Sequence, residues 1–595
     1  MKPLLQINKY FGRYKGHLIL GIFFVILQNF GAIYPAQVVR KSLDKVVDSL
    51  KSSKGVLSDD VMGQVTSQVF YFFLLIMLVA LIRGMLMFFM RQTIIVMSRR
   101  VEFDMKNDLF MQYQRLTSSF YRKNNTGDLM NRISEDIGRV RMYVGPAIMY
   151  TINLLVLFVL ITVIMFNVNS TLTLYVLIPL PFLSLSIYYV SDIMNKKGEE
   201  VQVQQSRLST FVQESFSGIR ILKAFSKEDE FTAGFSKESD IYLKKNMDLV
   251  RVNALFFPLM MLLVGTSTLL VVYIGGKEVI AGRATTGNIA EFIIYVNMLT
   301  WPVASVGWVT SIIQRASASQ TRINEFMQIN PDVQSVADYP FHLKGTVEFK
   351  NVSFTYPESG IKALEKVSFK IEAGQSLAIL GKTGSGKSTI AQLLLRMYDA
   401  DEGEILIDGQ PIASIPIQRL RDQVGYVPQD VFLFSDTIAN NIAFGLKEHH
   451  KATELHQLTV AAAEKAVIAD NIREFPNQFE TLLGERGITL SGGQKQRVSI
   501  ARALIRNPRM LVFDDCLSAV DTHTEEKILE QLKSETENRT SVFISHRISG
   551  IKRASHILML DQGCIVEEGT HLSLLKKKGA YYDLYRRQLT EADNN

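Results

Sequence analysis

Long apolar segments dominate the first 320 residues of this 595-residue chain. Six of them reach the roughly 20 helical residues that are needed to cross a bilayer core of about 30 Å. Their approximate bounds are 17–39, 68–90, 146–166, 171–190, 255–275 and 289–313. Because only "NVNS" separates the third segment from the fourth, we expect these two to form a tight helical hairpin. The pattern predicts a multi-pass, six-helix, all-α membrane domain over residues 1–327.

Two long polar connections separate the second span from the third and the fourth span from the fifth. "RRVEFDMKNDLFMQYQRL" and "VQVQQSRLSTFVQESFSGIRILKAF" keep apolar residues three and four positions apart, as amphipathic helices do. They could form solvated helical hairpins, but the continuous helical signal favours helices that run on from the membrane to dock another domain. Both connections are rich in Lys and Arg, which predicts that they lie in the cytoplasm together with both termini.

The pattern changes after "QINPDVQSVADYP", which contains two prolines and predicts a linker over residues 328–343. The remainder, residues 344–595, reads as an α/β domain. In "SLAILGKTGSGKSTIAQLLLRM" an apolar run, a glycine-rich turn and a helical pattern follow one another, which predicts a strand, a loop and a helix. A second apolar run, "MLVF", ends in Asp514 and Asp515.

Composition narrows the possible partners of the chain. The formal net charge is +7, but the basic residues crowd between the apolar segments rather than forming one basic arm. We therefore expect the lipid bilayer, and no nucleic acid, as a partner of these charges. The chain has two cysteines, both in the C-terminal part, which fits a reducing compartment for that part.

The glycine-rich turn carries the clearest chemistry, because it matches G-x-x-x-x-G-K-S at Gly381, Gly386, Lys387 and Ser388. Such a loop surrounds phosphate oxygens with backbone N–H groups, and the following helix adds the positive end of its dipole. The lysine neutralises the β- and γ-phosphates, and the serine hydroxyl can ligate Mg²⁺. Asp514, at the end of its apolar run, would hold Mg²⁺ directly or through water. Together these residues predict a phosphate loop of an ATPase.

A second anion-binding geometry lies upstream of Asp514, in "LSGGQKQRVSIARALIRNP". Ser491, Gly492 and Gly493 stand at the start of a predicted helix, followed by Gln494. An ordinary N-cap by Ser491 would explain a lone "SGG", but not the full string. One domain already has one phosphate cradle, so this second one is expected to contact the nucleotide of a neighbouring chain.

These residues resemble the ATP-binding cassette (ABC) family, specifically exporters whose membrane domain is fused ahead of the ATPase domain. The resemblance rests on "GKTGSGKS", "LSGGQ", "YVPQD", "SAVD", "ISHR", the aromatic "VSFTYP", "GERG" at residues 484–487 and the coupling region "FYRKNNTGDLMNRISEDI". It implies ATP and Mg²⁺ as cofactors, and two chains that close head to tail on ATP. The implied nucleotide contacts are Tyr356, Gly381, Lys382, Thr383, Gly384, Ser385, Gly386, Lys387, Ser388, Thr389 and Gln429.

The resemblance also implies the remaining roles in the site. Mg²⁺ would be held by Ser388, Gln429 and Asp514, and the signature contacting ATP of the other chain would be Ser491, Gly492, Gly493 and Gln494. The catalytic group would comprise Asp515, His546 and Gln429, and Asp521, which ends "SAVD", would belong to the D-loop of the family. The fused architecture implies an integral protein of the bacterial inner membrane, with the ATPase domain in the cytoplasm.

Asp515 departs from the family pattern, in which a glutamate that polarises the attacking water usually follows the Mg²⁺ aspartate. Aspartate is one methylene shorter, and a misplacement of about 1 Å can reduce a catalytic rate ~10²-fold. Two-chain exporters pair such a weakened site with a competent one, so a heterodimer is favoured. His546 is retained where such chains often lose it, so a slow homodimer stays open, as does a nucleotide-gated membrane protein that does not pump. The expected cargo is an amphipathic drug, lipid or peptide.

Overall fold

The computed structural model describes residues 2–52, 59–447, 450–484, 487, 490–517, 522–548 and 550–593. The chain divides into two compact units. The N-terminal unit contains Met1–Gln114 and Gly127–Ile329, and the C-terminal unit contains Arg115–Thr126 and Asn330–Asn595. The short segment Arg115–Thr126 therefore folds with the C-terminal unit although it lies between two parts of the other unit in sequence.

The first 327 residues form helices and no described strand. A 3₁₀ turn, Lys2–Ile7, precedes them, and two π-helical turns, Arg132–Asp136 and Tyr143–Ala147, interrupt their middle. The helices are α1 Asn8–Arg13, α2 Lys15–Ser52, α3 Asp59–Arg115, α4 Ser118–Lys123, α5 Thr126–Asn131, α6 Ile137–Met142, α7 Ile148–Val168, α8 Ser170–Leu177, α9 Pro179–Ser217, α10 Ile219–Ala224, α11 Glu228–Ile280 and α12 Thr286–Met327.

Among the described residues, five helical stretches are long and apolar enough to cross a membrane. They are Lys15–Ser49, Met62–Arg115, Thr126–Val168, Glu228–Ile280 and Thr286–Met327, and they contain five of the six predicted spans. None of the most apolar part of Met62–Arg115 is buried within the chain. An apolar helix surface of this length is stable where lipid, rather than water, surrounds it.

The predicted fourth span, 171–190, differs from the prediction of one continuous helix. It is divided between α8 and α9 by a break at Ile178, and it is not among the five stretches. The reason is that Pro179 and Pro181 have no amide hydrogen for the helical ladder. Ile178 itself keeps helical dihedral angles, so the hydrogen bonding is interrupted while the chain direction is retained.

The N-terminal unit has an apolar core, and Glu291 is one of the buried carboxylates that form ion pairs in this unit. Ile161, Phe292 and Tyr295 belong to a core cluster built from α2, α7, α8, α11 and α12. Within α12, the fully buried Glu291 accepts hydrogen bonds from Arg40 at 3.1 Å and from the Tyr295 hydroxyl at 2.8 Å. These partners compensate the desolvation of a charge that would otherwise be unfavourable so far from water.

Both connections continue their spans as long helices, as predicted, but the second connection stays within the N-terminal unit. Helix α3 runs through "RRVEFDMKNDLFMQYQR" to Arg115, and α9 runs to Ser217. After α3 the chain turns into α4, which lies in the C-terminal unit. The first connection is therefore a helix that leads into another folded unit rather than a solvated hairpin.

The C-terminal unit is an α/β domain, as predicted. No helix or strand occupies residues 328–346, which include the linker predicted at 328–343. The strands are β1 Val347–Thr355, β2 Lys362–Ile371, β3 Ser376–Gly381, β4 Glu402–Ile407, β5 Gln410–Pro411, β6 Val424–Val427, β7 Met510–Asp514, β8 Thr540–Ile544, β9 His556–Asp561 and β10 Cys564–Gly569. The helices are α13 Lys387–Leu394, α14 Ile417–Asp422, α15 Ile438–Ala443, α16 Ala452–Lys465, α17 Ala469–Arg473, α18 Gly492–Leu504, α19 Thr522–Thr536, α20 His571–Lys577 and α21 Ala580–Asp593. Two 3₁₀ turns, Ile412–Ser414 and Gln478–Glu480, lie between them.

Two sheets organise this unit. An antiparallel sheet has the order β2-β1-β4-β5, and a second sheet has the order β10-β9-β3-β8-β7-β6. In the second sheet β9, β3, β8, β7 and β6 are parallel, with β10 antiparallel at the edge. The carboxyl ends of parallel strands meet at one edge of a sheet, which is where ligands bind in open α/β folds. The residues that follow β3, β6, β7 and β8 therefore lie close together at this edge of the sheet.

Candidate functional site

The phosphate loop connects β3 to α13, as the sequence predicts, and its glycines are required by its backbone. Gly386 is the N-cap of α13 with φ of +96°, and a Cβ there would lie 2.3 Å from the Ala363 carbonyl oxygen. A Cβ on Gly381 would lie 2.3 Å from the Leu560 carbonyl oxygen. No larger residue fits either position, because both close contacts are with backbone atoms.

The polar groups of the loop fit a bound phosphate. The Ser385 hydroxyl is buried and, among the described residues, has no hydrogen-bond partner. The Lys387 ammonium is buried and donates to the carbonyl oxygens of Gly381, at 2.9 Å, and Lys382, at 2.8 Å. Burial lowers the pKa of this ammonium, opposed by the carboxylates of Asp515 and Asp514. A phosphate would give both the hydroxyl and the ammonium an anionic acceptor. Thr383 and Gly384 form the exposed tip of the loop.

Ser388 and Asp514 are joined directly, although they lie far apart in sequence. The Ser388 hydroxyl donates to Asp514 Oδ1 at 2.8 Å, and Asp514, the last residue of the fully buried β7, is 3% exposed. Burial raises the pKa of the Asp514 carboxyl, and the Ser388 hydrogen bond opposes that rise. A hydroxyl and a carboxylate beside a phosphate loop are oxygen ligands suited to Mg²⁺. When bound there, Mg²⁺ would neutralise charge on the phosphate oxygens.

Asp515 has a different environment from its neighbour Asp514. Its φ is +44°, in the left-handed region that aspartate tolerates better than most residues. Its amide donates to the Ile544 carbonyl oxygen at 2.8 Å, and its Oδ2 lies 3.4 Å from Gln429 Nε2. The structure therefore brings Gln429, which follows β6, to the carboxylate of Asp515.

His546 reaches the same edge of the sheet from the end of β8. Burial and the Lys387 charge lower the pKa of its imidazole, while Asp515 and a hydrogen bond to the Gly381 backbone oppose this. These neighbours place the ring beside the phosphate loop. The imidazole is accordingly neutral at pH 7 and able to donate one hydrogen bond toward a phosphate.

Tyr356 follows the last residue of β1 and contacts α13, the helix after the phosphate loop, which is called the phosphate helix below. Its hydroxyl lies 2.9 Å from Thr389 Oγ1 and donates to Gln392 Oε1 at 3.1 Å. Its ring meets Phe354 edge-on, with centroids 5.0 Å apart. These contacts fix an aromatic ring next to the loop, where it could stack on a nucleotide base.

The signature residues begin α18 on an exposed surface. Ser491 is the N-cap; its hydroxyl accepts from the Gln494 amide at 3.3 Å, and Gln494 Oε1 accepts from the Ser491 amide at 3.0 Å. Gly492 and Gly493 form the first turn. Among the described residues, no hydrogen bond joins this turn to the phosphate loop of the same chain. Ser491 is therefore an N-cap in this structure. The same serine could also contact the ATP of another chain, so the two interpretations do not exclude each other.

Two family models match the chain in succession. The ABC transporter transmembrane region matches residues 18–303, and the ABC transporter model matches residues 364–518. These matches decide the family, and the glycine-rich loop between β3 and α13 agrees with them. The chain belongs to the ABC transporters.

Individual ABC transporters resemble the chain over nearly its whole length. A probable multidrug resistance ABC transporter ATP-binding/permease protein, YheI of Bacillus subtilis, is 34% identical over 98% of this chain and 97% of its own length. An ATP-dependent lipid A-core flippase of Syntrophus aciditrophicus is 33% identical over 87% of this chain and 85% of its own length. The solved structure of a bacterial Atm1-family ABC exporter with ATP bound matches with a TM-score of 0.77 and 28% identity, over 96% of this chain and 98% of that one.

For this ABC transporter, the family implies transport coupled to an ATPase and an integral, multi-pass membrane protein. The two family models and the matching exporter structure confirm the predicted fold, a helical membrane domain followed by an α/β nucleotide-binding domain. Asp521 lies outside the described residues, as do Glu485 and Arg486 of "GERG". The roles of individual site residues stay predictions.

Tyr426 is a site residue that the motif analysis missed. It lies on β6, and burial raises the pKa of its hydroxyl, together with the charge and a hydrogen bond of the Asp514 carboxylate. Its hydroxyl therefore helps to hold the carboxylate next to Ser388. The signal was present, because Tyr426 begins the quoted motif "YVPQD", but tyrosine in a strand is more often a core residue.

Proposed function

We propose that this chain is one half of a dimeric ABC exporter that uses ATP to move an amphipathic substrate across a bacterial inner membrane. One observation carries the proposal. The chain brings Lys387, Ser388 and Asp514 together at a glycine-rich loop, and it exposes the Ser491 helix start elsewhere on the same domain. A head-to-tail pair of such domains would place each exposed turn against the phosphate site of the other.

The proposed substrate class is a drug, a lipid or a peptide with both apolar and polar parts. Its support is the chemistry named for the relatives, which are a multidrug resistance transporter and a lipid A-core flippase. Apolar and aromatic side chains exposed on the membrane helices, such as Phe70 and Trp301, suit such a substrate or the surrounding lipid.

The proposed orientation places both termini and the nucleotide-binding domain in the cytoplasm. The support is the positive charge of the two long connections, since Lys and Arg near spans favour the cytoplasmic side. ATP is also available in that compartment. Six spans per chain, rather than five, would keep both termini on one side, with α8 and the first part of α9 forming the divided fourth span.

We further propose that the ATP site of this chain hydrolyses slowly and that the partner is a different chain. Asp515 holds the position of the water-polarising acid with a side chain one methylene short of glutamate. A general base must lie within hydrogen-bond reach of the water it activates. In this structure the Asp515 carboxylate accepts a long hydrogen bond, 3.4 Å, from Gln429 Nε2. The exposed signature turn, with its family sequence complete, would then serve the competent site of the partner.

Two alternatives follow from the same residue. A homodimer would have two weak sites and turn over slowly. A nucleotide-gated membrane protein would bind ATP as a switch without pumping. His546 favours residual hydrolysis in either arrangement, because its ring lies next to Lys387 and can still contact a phosphate.

The test is the steady-state ATPase rate of the purified complex, isolated with whatever partner co-purifies. Asp515→Asn is expected to change that rate less than about twofold, because a carboxylate that does not reach the water loses little when its charge is removed. The matched control is replacement of the corresponding acid in the partner, which should abolish most activity. Asp515→Glu should raise the rate modestly, since it restores the missing methylene.

Near-complete loss of activity in Asp515→Asn would instead identify Asp515 as the working base and remove the weak-site proposal. Co-purification of only this chain, with the same collapse of activity, would establish the homodimer. ATP binding without substrate-stimulated hydrolysis in liposomes would favour the nucleotide-gated alternative.

A further inference from the structure

The segment Arg115–Thr126, which links two membrane-unit helices, contacts the ring that stands at the proposed base site. It folds with the C-terminal unit, where Thr117 Oγ1 donates to Asp332 Oδ2 at 3.4 Å and Ser119 is 1% exposed. Helix α4 is thereby held against the nucleotide-binding domain. Ser119 marks its buried side, whereas the Arg122 side chain is exposed.

Arg122, on α4, lies over two tyrosine rings. Its guanidinium carbon is 5.6 Å from the ring centroid of Tyr356 and 5.8 Å from that of Tyr398. The two rings are perpendicular, with centroids 5.6 Å apart, and the Tyr398 hydroxyl donates to Glu358 at 2.8 Å. Guanidinium groups at this distance from aromatic rings are attracted by the ring quadrupole.

Tyr356 cannot turn away from Arg122 without losing its own contacts. Its hydroxyl is fixed by Thr389 and Gln392 of the phosphate helix. The ring is therefore held at one edge by α13 and covered on a face by α4. Helix α13 and the segment Arg115–Thr126, both in the C-terminal unit, meet on this one aromatic side chain.

The spacing leaves no room for a nucleotide base between Arg122 and Tyr356. A stacked base needs a contact distance of about 3.5 Å to each neighbour, or about 7 Å between the two layers that enclose it. The observed separation is 5.6 Å. A base that stacks on this face of Tyr356 must therefore displace the guanidinium.

We propose that Arg122 occupies the base-stacking face of Tyr356 in the nucleotide-free chain and that the base of ATP displaces it. Arg122 thus sets the affinity for the base, and the base loosens one attachment of Arg115–Thr126 to the nucleotide-binding domain. The two effects are reciprocal, because a contact that opposes base binding is itself opposed by the bound base. This inference rests on the proposed binding of ATP at the phosphate loop with Tyr356 at the base.

The test compares the affinity of the full-length chain for Mg·ATP with its affinity for Mg·tripolyphosphate, which has the phosphates but neither base nor ribose. Arg122→Ala removes a positive charge, which weakens both ligands alike, so the ratio of the two affinities isolates the base. We expect that ratio to rise about 2- to 5-fold, the size of an exposed cation–π contact. Lys123→Ala, which removes the same charge from the next position of α4, should leave the ratio unchanged.

A double-mutant cycle assigns the effect to the ring. In a Tyr356→Leu background, Arg122→Ala should no longer change the ratio, because the shared surface is gone. A ratio that stays constant or falls in Arg122→Ala overturns the proposal, a fall meaning that Arg122 holds the base rather than yielding to it. If the unmodified chain binds neither ligand, or if Lys387→Ala does not weaken them, the ATP site itself is wrong, which is a separate failure.

Discussion

Two glycine-rich turns in the C-terminal unit each open a helix, and the backbone amides at their N-termini are satisfied in different ways. At α13 the N-cap is Gly386, which has no side chain to offer, and the adjacent Ser385 hydroxyl is buried without a described partner. At α18 the Ser491 hydroxyl and the Gln494 side chain cap each other's amides. Both N-termini carry the positive end of a helix dipole.

This difference separates a site that needs its ligand from one that is complete without it. The α13 turn leaves buried donors for an anion, and Lys387 bonds backbone carbonyl oxygens instead. The α18 turn is exposed and stable by itself, so an anion would add to an already satisfied cap. We infer that the first turn binds the nucleotide of this chain. The second turn is stable without a ligand and could bind the nucleotide of another chain.

The largest expected effect is at the first turn. Lys387→Ala should weaken ATP binding about 10- to 100-fold and stop transport, because the phosphates lose a buried charged donor. Titration of the purified chain with ATP measures this directly. Thermal unfolding without nucleotide is the control, since the variant also frees two carbonyl oxygens of the loop. Unchanged ATP affinity in a folded variant would contradict the phosphate-loop assignment.

A substitution in the second turn should have a smaller effect, and this effect should fall on ATP hydrolysis at the site of the other chain. Gly492→Asp places a carboxylate where the neighbour's phosphates would approach, and we expect ATPase activity of the complex to fall about 10-fold or more. An acid in the first helical turn favours the dipole of α18, so folding should be retained. ATP binding by this chain, measured separately, should stay within about twofold. A selective loss of its own binding would show that the turn acts within the chain.

Asp514, the proposed Mg²⁺ ligand beside the first turn, allows a test of how its buried charge affects stability. Burial raises its pKa, so its ionised form destabilises the fold at neutral pH. Asp514→Asn should therefore raise the unfolding temperature of the nucleotide-free chain by about 2–4 °C at pH 7–8, while hydrolysis is lost. The gain should disappear as the pH falls below about 4, where the carboxyl is neutral in both the folded and the unfolded chain. A gain that persists in acid would point to a cause other than charge.

The smallest effect concerns the cap of the second turn. Ser491→Ala should cost about 0.5–1 kcal/mol of local helix stability, because the first-turn amide loses its acceptor. Hydrogen exchange at the N-terminal amides of α18 should become about 2- to 5-fold faster. Ser491→Thr keeps the hydroxyl and is the matched control. Equal exchange in both variants would mean that the capping box does not hold the turn in solution.

Residues adjacent in sequence were predicted correctly because their structure is local. The loop between β3 and α13 follows from "GKTGSGKS" between an apolar run and a helical pattern, and β7 follows from "MLVF" before Asp514. Five of the six spans follow from length and apolarity alone. The divided span at Pro179 was missed, since hydropathy does not register the missing amide hydrogen of proline.

What the sequence determined by itself was the family, the membrane helices and the chemistry of the phosphate loop, because contiguous residues encode each of them. The tertiary structure decided which distant side chains meet. The order β6-β7-β8-β3 brings Gln429 to Asp515 and Tyr426 to Asp514, and the fold of Arg115–Thr126 with the C-terminal unit brings Arg122 over Tyr356. These contacts depend on strand order and on how separated segments pack, and no local pattern of apolar and polar residues specifies either.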